Sequence, residues 1–257
     1  MEIRFEYQWT TDLSKLVIDD FREVLNTVLY EGRLTEEFFN RKFLKNIYGP
    51  SIIVVAYDGE RPIGTQAILR NDVNNQVAYE AVDSAVLPEY QGLMLFPDML
   101  RISKKEIKKY PVYSFPNSNS FPLGKLLKHK TIATLRHVYY STPKAYAQEH
   151  YLKIPKLHAL WQFKDSSIQY WSLHYWGHYY LVNFVRKKWG VAILDIVGEI
   201  DKDTADNFSH YPERIFLLIY KSSIPRFYNK KRKSGFFITS QGAPIEYVPY
   251  WKIDVFD

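Results

Sequence analysis

Hydrophobic and polar positions change period several times along the chain, and each change marks an element. Ile3 to Trp9 alternates and predicts a strand. Thr10, Thr11 and Asp12 offer N-caps to a helix carrying Leu13, Leu16, Val17, Phe21, Val24, Leu25 and Val28 on one face. Thr35-Glu36-Glu37 opens a second helix with Phe38, Phe39 and Phe43 on its apolar side, and Gly49-Pro50 stops it. Ile52 to Tyr57, the turn Asp58-Gly59 and Pro62 to Leu69 form a hairpin. After a polar turn at Asn71 to Gln76, alternation resumes from Tyr79 to Leu87. Pro88 ends that strand by removing a backbone donor. Gly92 supplies a turn position free of a Cβ, Pro97 suits a first helical turn, and the helix continues through Leu100 to Lys109. Val112 to Phe115 is a short apolar strand.

The second part of the chain repeats some of this grammar. Tyr179 to Val185, the polar stretch Arg186-Lys187-Lys188-Trp189-Gly190 and Val191 to Val197 read as strand, turn and strand. Like Ile52 to Leu69, this is an apolar strand, a polar turn and a glycine near the start of the second strand. Ile215 to Tyr220 and Phe236 to Ser240 are further strands.

At 257 residues the chain has room for one large domain or two modest ones. Its apolar share of 46% and charged share of 24% fit a globular protein. A formal charge of +6 favours acidic partners such as nucleotides, CoA phosphates, nucleic acid or anionic lipid, without choosing among them. The absence of cysteine excludes a disulfide framework, a thiolate nucleophile and a Cys-based zinc site. MEIRFEYQW lacks the profile of a signal peptide, and no apolar run reaches the length of a membrane span, so the cytoplasm is the expected location. His174 and His178 have the i, i+4 spacing of helical metal ligands, but Gly177 and the strand-like residues after it argue against a helix there. No metal is expected. Lys230-Lys231-Arg232-Lys233 reads as an exposed basic turn, and nucleic acid is not an expected partner.

The strand, Gly turn and helix start between Tyr79 and Met99 would present backbone amides to an anion. The string Val82-Asp83-Ser84-Ala85-Val86-Leu87-Pro88-Glu89-Tyr90-Gln91-Gly92 resembles the V-D-x-A-V-x-P-E-Y-R/Q-G core of the GNAT acyltransferases. Ser114-Phe115-Pro116-Asn117-Ser118-Asn119-Ser120 is similar to the F-P-N-x-x-S segment of a bacterial branch of that superfamily. Tyr48-Gly49-Pro50-Ser51, Ile52 to Tyr57 and Asp58-Gly59-Glu60 match the same branch, in the same order, over roughly residues 1 to 140.

The resemblance implies an α/β (α+β) fold, a mixed and mostly antiparallel sheet flanked by helices. It implies an acyl-CoA-binding domain over residues 1–143. Residues 144–257 are then a divergent second α/β half, itself GNAT-like, or else a generic α/β extension. The implied activity is transfer of an acetyl or related acyl group from acetyl-CoA, as co-substrate, to a primary amine of a small metabolite or amino sugar. Amides near Ala85, Val86 and Leu87 would polarise the acyl carbonyl. The turn Gln91, Gly92, Leu93, Met94, Leu95 and Phe96 would hold the pyrophosphate, and Asn117 would contact the pantetheine arm. Glu80 and Asp83 are the candidate general bases. Strand parity places them on opposite faces, and Asp83 has the alternative role of bracing the strand.

The chain departs from the family pattern in three places. Met94 stands where the family has glycine. Gly124 stands where the family's thiolate-protonating tyrosine would fall, which leaves Tyr113 as the nearby substitute. Lys128-His129 replaces a later G-F/W. These departures keep open the alternative of a GNAT-like protein that binds a ligand or another protein without catalysis.

Overall fold

The computed structural model describes residues 2–73, 75–116, 120–122, 128, 130–139, 153–166, 168–175, 177–188, 190–213, 216–222 and 236–241. Expectations placed on Asn117, Gly124, His129 and the basic run 230–233 lie outside those residues. The chain divides into two compact units, Met1–Lys130 with Thr239–Glu246, and Thr131–Ile238 with Tyr247–Asp257.

The first unit opens with β1 (Ile3–Trp9), then α1 (Lys15–Leu25), α2 (Glu36–Phe39), β2 (Ile52–Asp58), β3 (Arg61–Arg70), β4 (Tyr79–Val86), α3 (Leu95–Glu106) and β5 (Val112–Ser114). Ser14 caps α1 by accepting from the Val17 amide, and Thr35 caps α2 by accepting from the Phe38 amide. Both helices then widen into π turns, Asn26–Tyr30 and Asn40–Leu44. β1 to β4 pair antiparallel in sequence order, and β5 lies parallel to β4. On its other edge β5 meets β11 (Phe236–Gln241), antiparallel, with Thr239 opposite Ser114 and Gln241 opposite Val112.

β2 is buried on both faces from Ile52 to Tyr57, and β3 from Pro62 to Leu69. Their near-continuous apolar runs follow from having helices above and below. α1 and α3 each lie over β2, β3 and β4, and since β2 and β3 are buried on both faces the two helices cover opposite faces. On the α1 side Phe21 meets Phe39 and Phe43 edge to face, with ring centres 5.8 and 5.7 Å apart, which ties α2 and its π turn to α1.

The second unit contains β6 (Lys130–Tyr139), α4 (Lys156–Ala159) with a π turn at Leu160–Lys164, β7 (Tyr170–Tyr175), β8 (His178–Lys188), β9 (Val191–Ile200), α5 (Lys202–Ala205) and β10 (Phe216–Ser222). β7, β8 and β9 are antiparallel neighbours, β10 is parallel to β9, and β6 is antiparallel to β10. Taken separately, each unit therefore runs helix, π turn, three antiparallel strands, helix, and a strand parallel to the third. Gly177, at φ 83°, turns β7 into β8. His174 and His178 lie on that hairpin, not on a helix: His174 stacks on Tyr179 at 4.5 Å, and His178 Nδ1 is 3.3 Å from Glu199. No helix among the described residues is long and apolar enough to cross a membrane.

Candidate active site

β4 carries the features that set the site. Val82 lies opposite Ala67 and Ala85 opposite Thr65, so Asp83 and Ser84 together face Gln66 alone. This is a β-bulge, and Asp83 takes a φ of 46° there. The extra residue cancels the strand parity that separated the two candidate carboxylates. A Cβ on Gly64 would sit 3.5 Å from Met99 Cε on α3, so from Gly64 to Arg70 the even-numbered positions face α3 and Thr65, Ala67 and Leu69 face α1. Glu80 is opposite Leu69 and therefore faces α1. Asp83 turns its carboxylate to the same layer, accepting from Tyr30 Oη at 2.6 Å and pairing with Lys42 Nζ at 2.8 Å. The expected opposite-face arrangement of Glu80 and Asp83 is thus corrected by the bulge.

β4 and β5 separate almost as soon as they meet. Their register contains Tyr79–Val112 and Glu80–Tyr113, after which β4 continues from Ala81 to Val86 with its β5-side edge unpaired among the described residues. Glu80 stands at the apex of this wedge. It is 1% exposed and accepts from Asn71 Nδ2 at 2.9 Å. Tyr113 is fully buried, donates its hydroxyl to the Asn71 carbonyl at 3.0 Å and packs edge to face on Phe115. Its hydroxyl is therefore already engaged by the backbone of Asn71.

Beyond Val86 the chain forms the expected turn. Leu87 N–H still donates to the Ile63 carbonyl at 2.9 Å, and Pro88–Tyr90 makes one tight 3-10 turn. Gln91 Nε2 reaches back to the Val86 carbonyl at 3.2 Å. Gly92 has a φ of 98°, and Met94 follows in the left-handed region at φ 58°, ψ 19°. Met94 is the N-cap of α3 and no side chain caps the helix, so the first-turn amides of Leu95 and Phe96 lack both an intrahelical and a side-chain partner. Leu93 and Met94 are exposed. Charges at the rim are already matched, Arg61 with Glu89 at 2.7 Å and Arg101 with Asp98.

Met94 occupies a conformation that suits glycine, at a cost of about 1–2 kcal/mol for a residue with a Cβ. Met94→Gly is expected to stabilise the first unit and raise Tm by about 2–4 °C in a thermal melt. A lower Tm would show that the exposed side chain contributes more than the backbone strain costs.

No protein-family model matches the chain, and no curated protein matches it in sequence. Solved structures do. A probable N-acyltransferase of unknown function from Enterococcus faecalis superposes with a TM-score of 0.60 at 11% identity, over 93% of this chain and 72% of that one. The chain has the GNAT fold. A GCN5-related N-acetyltransferase from Anabaena variabilis agrees, at TM-score 0.56 and 15% identity over 92% of this chain and 72% of that one. So does a GCN5-related N-acetyltransferase from Kribbella flavida, at 0.53 and 10% over 93% and 71%.

Within this GNAT fold the bulge at Asp83 and Ser84, the wedge beyond Glu80 and the turn from Gln91 to Phe96 converge on β4. Lys42 and Tyr30 are the functional-site neighbours that sequence reading missed. Their only sequence signal is polar residues inside an aromatic-rich helical stretch, which resembles any solvated helix end. Among the described residues no cluster of three or more His, Asp or Glu side chains has the geometry to hold a metal ion.

Proposed function

We propose that the first unit binds an acyl-CoA along the open edge of β4 and transfers its acyl group, acetyl in the simplest case, to a primary amine on a small molecule. The observation that supports this reading most is the wedge. From Ala81 to Val86 the β5-side edge of β4 has no strand partner among the described residues, and it lies beside a turn that ends in uncapped helical amides. An amide-bearing pantetheine arm can pair with such an edge as an added strand would, leaving its pyrophosphate at the first turn of α3.

In that pose Ala85, Val86 and Leu87 contact the arm, Gln91 to Phe96 surround the phosphates, and the thioester lies toward the apex. The neutral amine attacks the carbonyl carbon, the new C–N bond forms, and the C–S bond breaks to release CoA as a thiolate that takes its proton from solvent. Glu80 takes the proton that the attacking nitrogen must lose. A main-chain N–H of the bulge polarises the carbonyl. Asp83, closed in by Lys42 and Tyr30, braces the strand instead of acting as base.

The second unit is proposed to be a divergent GNAT-like half that does not bind CoA. Its β9 runs into α5 without a glycine turn, and Asp201 caps that helix by accepting from the Thr204 amide at 2.7 Å. Hydrogen bonds from Thr204 hold the Asp201 carboxyl below its usual range, so the cap is an anion at neutral pH and repels a phosphate.

Calorimetric titration with acetyl-CoA tests both statements. The expected result is one equivalent bound per chain. No heat at millimolar ligand would end the acyltransferase reading, and two equivalents would end the reading of the second unit. A GNAT fold that binds CoA without turnover is the second reading, favoured by the hydrogen bond that already engages the Tyr113 hydroxyl. Binding without thiol release across a panel of amines would select it.

A further inference from the structure

Asp83 combines three properties. Its backbone is in the left-handed region, its side chain is only 4% exposed, and the residue as a whole is nonetheless partly exposed. The exposed part is therefore main chain. Main-chain polar groups of a strand point within the sheet toward neighbouring strands. β3 occupies one side of β4 here, so main-chain polar groups of the bulge that do not pair with β3 are directed to the side of the wedge.

The side chain is held from the opposite direction. Tyr30 closes the π turn after α1, Lys42 sits in the π turn after α2, and both end on the Asp83 carboxylate. Lys42 is wholly buried, and its ammonium lies 2.8 Å from Oδ2 as an ion pair, not a well-aligned hydrogen bond. A lysine buried beside a carboxylate is costly to desolvate, and a hydrophobic pair of similar volume is often as stable or more so. A left-handed Asp adds its own strain. Global stability is thus a poor account of this arrangement, whereas fixing one local geometry is a good one.

We infer that Lys42 and Tyr30 are positioning residues: by clamping the Asp83 carboxylate they hold the main chain of Asp83 and Ser84 turned into the wedge, where it meets the acyl donor. The donor contact rests on the function proposed above; the clamp itself does not. The two helices that end in π turns thereby set the shape of a strand on which the chemistry depends. Both residues lie in these π turns, so side chains from two separate helices meet at one carboxylate.

The test uses the full chain and two variants. Tyr30→Phe removes one hydroxyl with little change in volume. The paired variant Lys42→Met with Asp83→Asn removes both charges while keeping a residue that tolerates positive φ. Amide hydrogen exchange is compared between 81–86 and the β2 core at 53–56, and acetyl-CoA affinity is measured by calorimetry. Both variants are expected to speed exchange at 81–86 by about tenfold or more relative to β2. Acetyl-CoA affinity is expected to fall by about tenfold or more. Phe39→Leu serves as a comparison that weakens the same helical layer and is expected to leave acetyl-CoA affinity unchanged. Exchange at 81–86 that rises only in step with β2 would overturn the clamp. Selective exchange with unchanged affinity would overturn the donor contact. If the unaltered chain binds no acetyl-CoA, the proposed function fails, and the exchange data still decide whether the clamp exists.

Discussion

Replacing Glu80 with glutamine is expected to lower kcat by about 10²–10⁴-fold while leaving the KM for acetyl-CoA close to its original value. The substitution keeps the shape of the side chain and its ability to accept from Asn71 Nδ2. It removes the capacity to take a proton. An amine is protonated at neutral pH, and its nitrogen attacks only once that proton has gone, so the loss falls on the chemical step. Steady-state rates by thiol release, with whichever amine the panel supports, decide the matter. An unchanged kcat would reduce Glu80 to a buried structural partner of Asn71, and the base would then be solvent or the acceptor's own chemistry.

Truncating Phe21 to alanine is expected to destabilise the first unit by about 3–5 kcal/mol, read by chemical denaturation. Phe21 is fully buried, and its ring is the common neighbour of Phe39 and Phe43. The cavity has little prospect of collapsing, since α1 is held over three strands of the sheet. A loss below about 1 kcal/mol would mean that the layer repacks freely, and the positions of Tyr30 and Lys42 would then be soft as well.

Much of the first unit was legible because its signals are local. Alternation from Tyr79, the stop at Pro88, the glycine at 92 and the helix after Pro97 each specify their own few residues. The structure places the strand, turn and helix there. The hairpin of β2 and β3 was equally plain, because Asp58-Gly59 is a turn dipeptide between apolar runs. The faces of Glu80 and Asp83 were not legible. Parity counts residues, and a bulge inserts one without any compositional mark, since Val-Asp-Ser-Ala has no glycine to announce positive φ. The π turns were hidden for a similar reason. A helix that widens at its end keeps the same apolar residues inside and changes only which polar residue swings in after them. The conformation of Met94 stood between the two, since its position was readable from the motif and its positive φ only from the structure.

β5 is a strand of three residues whose outer edge is completed by Thr239 to Gln241. On the ribosome, the first unit has therefore made its helices, its hairpin and β4 long before the segment that finishes its sheet exists. Until then the outer edge of β5 carries bare backbone donors and acceptors, on the side away from the wedge. The nascent amino-terminal half is thus an incomplete fold that waits for its last strand, and cutting the gene between the two units would make that waiting permanent.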